Sequence, residues 1–516
     1  MGSKEKSYLH VTSFNPEVTG SFTLVDSSNE KQGPFGIDCG VFQERKYADL
    51  NDVDFPVDSE KIDFILITHN HADHIGKLPL LYKYGFKGKV YATKSTCELL
   101  RISLANSTKI MLEEAKLFKR EPLYDREDVE NVIKNLVPCN IGETIQVSKY
   151  IRVTYFDNGH IIGAAMILVQ ISFPGGEDIN LFFTGDYKPY NVFKNVKPMP
   201  KWVYELPINV VTEATYGDTE TKDIEYNFEK DVQMILEQEK SLFIPVLAQG
   251  RAQEILYLLK QMQNEGRISK SIPIFLDGDL SHQYTRIYQS GKLEIDDEKI
   301  DFLPDNFHLV NKDSRTAVMS LAKQKIILTT SGMLDHGPAR LYLPGVLSNS
   351  KWAVFLTSYC SEGTLGRKLI DNEMKENSVS VMGMSVMVKA QIFSTMQFSS
   401  HAKADELEEL LSRFSKLKLV LINHGEKEIK EKFAERIEYA KIAKRVEILG
   451  EYTIKLSQYG FIKAMGAKLY NVNSKKSIYK QKHSGAKKKK NFKKQNIRNA
   501  GKAKARRIVC RRKSSY

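Results

Sequence analysis

An α/β fold is what this sequence predicts, and three observations carry the prediction. Up to about residue 217, short apolar runs rich in β-branched residues alternate with turn signals and a few helical stretches, the pattern of packed layers. From about 218 to 395 the texture changes to regular strand–helix alternation, which is how a parallel sheet is wound. Beyond Ala467 the chain turns to Ser, Asn, Lys and Gly, with too little apolar surface to offset the entropy of ordering, so a disordered tail is expected.

In chain order, the five-residue run 64–68 (Phe-Ile-Leu-Ile-Thr) is short, apolar and β-branched, and predicts a buried strand. A second strand is predicted over 90–93, followed by a helix over 94 to about 119, where the chain becomes polar and rich in Leu, Ala and Glu. Strands follow at 151–156 and 180–184. In the second texture, a strand at 242–246 precedes a helix at 252–263, with further strands at 272–276 and 325–329. One more buried strand, 418–422, runs into Asn423-His424-Gly425.

Bulk properties exclude several classes. A chain of 516 residues suggests two to four domains. No apolar run approaches the ~20 residues of a membrane helix, and the polar N-terminus lacks the apolar core of a signal peptide. Five scattered cysteines (Cys39, Cys97, Cys139, Cys360, Cys510) form no CxxC pair, which argues against a disulfide scaffold or a thiolate metal site and for a cytoplasmic protein. The net charge of +13 is not uniform: 18 Lys and Arg lie between Lys475 and Lys513 with no acidic residue, so the preceding 474 residues carry −5. A tail of this kind suits a polyanion, and Tyr479, Phe492 and Tyr516 add rings for base stacking; a tail that only confers solubility is the alternative.

Histidine is scarce, 11 in 516, yet His69, His71 and His74 fall within six residues, with Asp73 among them and a strand leading in. Residues two apart at a strand end project the same way, so His69 and His71 are expected to share one ion; the chain then turns, and Asp73 and His74 can face a second. Imidazole and carboxylate suit zinc, with iron or manganese as alternatives. A solvated histidine-rich turn is the bland alternative, disfavoured because such polar density directly after a buried strand needs a purpose. Three further candidates follow strands beside a glycine: His160, Asp186 and His424. Any one alone would pass for a turn residue; their value is collective.

These residues resemble a known family. The segment Thr68-His69-Asn70-His71-Ala72-Asp73-His74 resembles the HxHxDH signature of the metallo-β-lactamase fold. Asp38 in Gly36-Ile37-Asp38-Cys39-Gly40, His160 in Gly159-His160-Ile161 and Asp186 in Thr184-Gly185-Asp186 resemble its first, third and fourth motifs. Glu213 in Thr212-Glu213-Ala214, His401 in Phe398-Ser399-Ser400-His401-Ala402 and His424 in Asn423-His424-Gly425 resemble motifs A, B and C of the β-CASP nucleases. The segments 250–254, 330–333 and 363–369 match as well, and the resemblance runs from residue 8 to about 465.

The resemblance implies an αββα metallo-β-lactamase sandwich (1–217 and 396–466) interrupted by an inserted α/β β-CASP cap domain (218–395) and followed by a basic disordered C-terminal tail (467–516). It implies two Zn2+ per chain: His69, His71 and His160 on one, Asp73, His74 and His424 on the other, Asp186 bridging. Water activated by the pair would attack an RNA phosphodiester, leaving a 5′-phosphate and a 3′-hydroxyl. His401, oriented by Glu213, is the expected general acid, Asp73 belongs to the same catalytic group, and Asp38 is expected to orient a ligand loop rather than bind metal. Arg251, Ser331, Gly332 and Arg367 are candidate phosphate contacts. Histidine at motif C is the form associated with RNA-processing members. The Phe-Ser-Ser-His-Ala form of motif B is closer to the cleavage-and-polyadenylation nuclease subgroup than to ribonuclease J, and a basic tail stands where ribonuclease J has a further domain. The expectation is a zinc-dependent ribonuclease of RNA processing or decay, acting as an endonuclease, a 5′–3′ exonuclease or both, with RNA as partner and no membrane; a homodimer is compatible with it. The alternatives are a catalytically weak RNA-binding scaffold and a hydrolase of DNA or another ester.

Overall fold

The computed structural model describes residues 7–53, 55, 57–373, 377–450 and 452–466. The tail expectation therefore lies outside the described residues. One compact unit takes in Met1–Asn51 and Asp58–Ala467; a second takes in Asp52–Val57 and Lys468–Tyr516, almost all of it outside the described residues.

Two sheets face each other in the first unit. The first has eight strands in the order Gly460–Gly466, Tyr452–Ser457, Leu9–Ser13, Thr23–Ser27, Phe35–Ile37, Phe64–Leu66, Lys89–Thr93 and Leu136–Cys139. The last four of these run parallel and the rest antiparallel. The second has seven: Val446–Ile448, Leu417–Ile422, Ile208–Thr212, Ile179–Phe183, Ala165–Ile171, Ile151–Asp157 and Thr144–Ser148. Strand alternation divides its side chains between two cores. Val153, Tyr155, Ile167, Val169, Leu181, Leu419 and Leu421 meet Val11, Val25, Phe35 and Leu66 of the first sheet. The opposite parity, Phe156, Leu168, Phe182 and Val420, packs on the helices Ala404–Ser412 and Lys427–Tyr439. The helices Lys94–Phe118 and Arg126–Lys134 contact each other, and the former lies against Lys89–Thr93 and Leu136–Cys139. The result is the αββα sandwich that the motifs imply.

Between Ile208–Thr212 and Leu417–Ile422 of the second sheet the chain builds another sheet. Its six strands, Phe307–Val310, Ile274–Asp277, Ile326–Thr329, Ser241–Pro245, Trp352–Leu356 and Gln391–Ser394, are all parallel. Four of the six are buried along their whole length, because helices cover both faces. Arg251–Asn264 and Asp279–Tyr288 pack on one face and Ala339–Leu347 on the other. This cap is tied to the sandwich by Phe228 against Phe398 (centroids 4.8 Å) and by the Asn70 amide, which donates to Gln249 Oε1 at 2.8 Å.

The sheets also position the site. In the second sheet the strands ending at Asp157, Phe183, Thr212 and Ile422 share a direction, so His160, Asp186, Glu213 and His424 emerge at one edge. In the first sheet the parallel strands ending at Ile37 and Leu66 deliver Asp38 and His69–His74 to the same place.

Candidate metal centre

Six of the eleven histidines meet at that edge, and with them Asp73 and Asp186. His69 Nε2 and His160 Nε2 each lie 3.1 Å from His71 Nδ1. Asp186 Oδ2 is 3.5 Å from His69 and 3.6 Å from His160. A tetrahedral zinc about 2.0–2.1 Å from each ligand requires ligand–ligand edges of ~3.3–3.4 Å, so these four atoms have the spacing of one coordination shell. A second group stands beside it. His74 Nε2 and His424 Nε2 are 3.3 Å apart, each 3.4 Å from Asp186 Oδ1 and 3.7 Å from Asp73 Oδ2. Asp186 thus offers one oxygen to each group. Its Oδ1 is buried and has no hydrogen-bond donor, an arrangement that costs free energy unless a cation sits there.

The electrostatics agree with this donor set. Burial holds His69 and His160 well below the usual histidine range and His71 at about 4, which keeps the imidazoles neutral, as ligands must be. Burial pushes Asp186 up, but the surrounding histidines outweigh it and hold the carboxyl well below the usual range. His74 differs: burial lowers it, yet Asp186, Asp38 and Asp73 together raise it well above the usual range. Three carboxylates around one imidazole are an excess of negative charge that a second cation would neutralise.

Three of the candidate ligand rings are fixed from behind, as metal-binding histidines usually are. His74 Nδ1 donates to Asp38 Oδ2 at 2.8 Å, His160 Nδ1 to the Ser400 carbonyl at 2.8 Å, and His424 Nδ1 lies 3.1 Å from Thr215 Oγ1. Asp38 has left-handed backbone (φ 59°) and also accepts from the Thr68 amide and hydroxyl, both at 2.8 Å. It touches a ligand rather than joining either group. The 38–41 segment runs so close to the Asp73 turn that a Cβ on Gly40 would lie 1.5 Å from the Asp73 carbonyl oxygen, so only glycine fits.

His401 stands at the rim. Its Nδ1 bonds Glu213 Oε2 at 2.8 Å and its Nε2 lies 3.9 Å from Asp186 Oδ2. Burial lowers its pKa, but Glu213 and Asp186 more than compensate and the net shift is upward. The helix after it begins at Ala404, so His401 is not a helix cap.

Sequence reasoning differs from the structure in one local respect. The strand before the cluster ends at Leu66, not Thr68, and His71 is the N-cap of a short helix, Ala72–Ile75. His69 and His71 converge because one presents Nε2 and the other Nδ1, not because both continue a strand. Four residues were passed over. Asn158 joins two ligand loops: its amide nitrogen donates to the carbonyls of Thr184 (3.0 Å) and Asp186 (2.6 Å), and its oxygen accepts from the His160 amide. Thr215 supports His424. Lys188 and Lys403, both nearly buried, flank His401; burial and then Lys188 pull Lys403 down to about 8. Asn158 could have been suspected from its place two residues before His160; nothing local marks the lysines.

The expected phosphate contacts divide. Arg251 is buried, pairs with Glu254 at 2.7 Å, keeps its Nε without a partner, and lines a cleft of about 520 Å³ with His71, His160 and Lys188. Ser331, Gly332 and Arg367 are not among the residues lining that cleft or the smaller one beside His401, and Arg367 is paired with Asp371.

Comparison with known proteins agrees with this geometry. Residues 35–173 match the metallo-beta-lactamase superfamily domain, 252–369 the Beta-Casp domain, and 385–449 the Zn-dependent metallo-hydrolase RNA specificity domain. A ribonuclease of Thermus thermophilus is 30% identical over 424 residues, covering 80% of this chain and 91% of that protein. The chain belongs to the β-CASP family of the metallo-β-lactamase fold. Transcription termination factor FttA of Lokiarchaeum sp. (strain GC14_75) is 31% identical over 386 residues, 71% of this chain; the chain spans 58% of that relative's length. A solved structure from Enterococcus faecalis V583, 12% identical with a TM-score of 0.50, covers 83% of this chain and 95% of that one and shares the fold. No helix among the described residues is long and apolar enough to cross a membrane.

Proposed function

We propose that this β-CASP chain is a two-zinc ribonuclease that hydrolyses RNA phosphodiesters. The observation that carries the reading is Asp186, whose two oxygens serve two separate ligand groups, with a Glu213-held histidine beside them. His69, His71, His160 and Asp186 would hold one zinc, and Asp73, His74, His424 and Asp186 the other. A bound pair supplies Lewis acidity and makes water a nucleophile near neutral pH, its pKa lowered from 15.7 toward ~7.

The chain's own residues do the rest. Glu213 accepts a hydrogen bond from His401 Nδ1–H, which leaves Nε2 facing the candidate ligand groups and keeps the ring cationic to a higher pH. Nε2 can then protonate the departing 3′-oxygen, a general-acid contribution of about 10²–10⁴-fold. Asp38, Thr215 and the Ser400 carbonyl hold the ligand rings in orientation. The match of 385–449 to a domain described by RNA specificity, and the Thermus relative named as a ribonuclease, support RNA as the substrate. The domain limits that go with this reading are 1–217 and 396–466 for the sandwich and 218–395 for the cap. The basic segment beyond 467 is assigned to RNA contact and the protein to the cytoplasm.

The test is cleavage of a 5′-labelled RNA by the zinc-loaded protein, with end-group analysis of the products, beside His71→Ala and His401→Ala. The expected result is 5′-phosphate and 3′-hydroxyl ends, lost in both variants. Undiminished cleavage by both would sink the assignment, and equal cleavage of DNA would remove the RNA specificity. The product lengths separate internal cutting from cutting at an end.

A further inference from the structure

The two ligand groups differ in what holds them. The second is supported from the sandwich, where Asp38 bonds His74 and Thr215 meets His424. The first carries a tie to the cap through Asn70, the residue between His69 and His71. Side chains alternate along extended backbone, so with both histidines turned to their ligand group Asn70 points the other way. There it is 2% exposed, and its amide nitrogen donates to Ser103 Oγ at 2.7 Å and to Gln249 Oε1 at 2.8 Å, with the Tyr284 hydroxyl 3.3 Å away. Gln249 and Tyr284 belong to the cap. Ser103 lies on the sandwich helix Lys94–Phe118; it donates its own proton to the Leu99 carbonyl at 3.2 Å and accepts from Tyr284, so the cap orients this anchor as well. The cap is a firm support. Phe193 of the sandwich is buried among Tyr257, Tyr288 and Phe302 of the cap, at ring-centroid distances of 5.8, 5.3 and 5.4 Å, and Leu99 and Ile162 join the same core.

Resting on the two-metal part of the ribonuclease reading, we propose that Asn70 is a positioning residue through which the seating of the cap sets the affinity of the ion held by His69, His71, His160 and Asp186. Asn70 acts through its neighbours. Holding its side chain holds the peptide units between His69 and His71, and with them the 3.1 Å spacing of His69 Nε2 and His71 Nδ1. The tie crosses from cap to sandwich, so it works in both directions: whatever the cap adds to the affinity for that ion, the ion adds to the grip of the cap. Asn70 Oδ1 and Gln249 Nε2 are also buried without a partner, an acceptor and a donor on the same two amides, which is the pair that a second bond between them requires. Gln249 lines the cleft of about 520 Å³ together with His71 and stands just before the helix Arg251–Asn264, so a displacement of this cap loop is felt at the ligand turn. The group of Asp73, His74 and His424, supported from the sandwich, is insulated from it.

The experiment takes the full chain, stripped of metal, and titrates it with zinc against a chelator that resolves the two binding steps. Gln249→Met removes the acceptor on the cap and keeps the shape; Asn70→Ala removes the donor. Each should weaken one step by about 3- to 10-fold, the net worth of a neutral hydrogen bond, and leave the other within about twofold. The double variant should bind no more weakly than Asn70→Ala, since Gln249 acts only through Asn70. Hydrogen exchange gives the reciprocal reading: zinc should slow exchange at 247–251 and in Asp279–Tyr288 of the wild type, and slow it less in Asn70→Ala. If Gln249→Met lowers stability in urea but leaves both zinc affinities unchanged, Gln249 is merely structural and the proposal is overturned. Equal weakening of both steps, or additive losses in the double variant, overturns it too. A wild type that shows the coupling but does not cut RNA would defeat the ribonuclease reading and leave the cap tie standing, whereas a wild type that takes up no zinc defeats both.

Discussion

Replacing Glu213 by Gln tests the proposed acid more sharply than deleting His401. The glutamate is buried at 2% exposure, and its Oε2 meets His401 Nδ1 at 2.8 Å. A hydrogen bond to a charged partner is worth about 1.5–3 kcal/mol. At 1.36 kcal/mol per pKa unit, its loss brings His401 down by about 1–2 units. Glu213 is the largest influence raising that pKa, so the sign is clear. The cationic acid disappears at lower pH in the variant, and the alkaline limb of the kcat profile moves down by the same ~1–2 units. Bound zinc would lower His401 in both proteins, so the difference between them is the quantity to read. The loss should be small at acid pH and about 10- to 100-fold beyond the wild-type limb. The assay is a pH series of RNA cleavage beside a p-nitrophenyl phosphodiester, whose leaving group departs without a proton and should be nearly spared. An alkaline limb that stays in place, or equal loss on both substrates, would refute the reasoning.

Three further outcomes are expected. Asp38→Asn keeps a side chain that tolerates the left-handed backbone at φ 59° but weakens the support of His74; zinc affinity measured by chelator competition should fall about 10- to 100-fold with the circular dichroism unchanged. Asp277→Ala, in the cap, strips the buried carboxylate from Arg315 (2.6 and 3.1 Å) and from the Tyr342 hydroxyl (2.8 Å); urea unfolding should show a loss of about 3–5 kcal/mol. Removing the residues beyond Ser474 takes away 18 cations, and RNA affinity should drop with a markedly flatter salt dependence; an unchanged slope would assign the tail to solubility instead.

Much of the sandwich was legible because its strands are short apolar runs. The run 151–156 appears as Ile151–Asp157 and 418–422 as Leu417–Ile422, since burial on both faces writes itself into composition. The helix predicted over 94–119 appears as Lys94–Phe118 for the same kind of reason, a long polar stretch with no breaker. The clustered histidines and aspartates were legible as candidates because each follows a strand. What stayed hidden depends on distance in sequence. Lys403 becomes notable only when Tyr216, 187 residues earlier, lies under its ammonium. Asn158 looks like any turn asparagine until the Asp186 carbonyl arrives to accept from it. The ring nitrogen chosen by His71 was equally out of reach, because it is set by where a four-residue helix begins.

The N-terminal strand Leu9–Ser13 pairs on one side with Tyr452–Ser457, and Ser13 bonds Asn423, the neighbour of His424, across 410 residues. Synthesis runs from one end, so a growing chain holds His69 and His71 long before it holds His401 or His424. Leu9–Ser13 is an open sheet edge until its last partner is made, a row of unpaired backbone groups that invites the wrong neighbour. A chain that stops short of Leu417 therefore holds His69, His71, His160 and Asp186 of the first group but lacks His424 of the second. The same wiring makes late truncation costly twice over, because losing 452–457 removes a strand from the sheet that carries the first ligands.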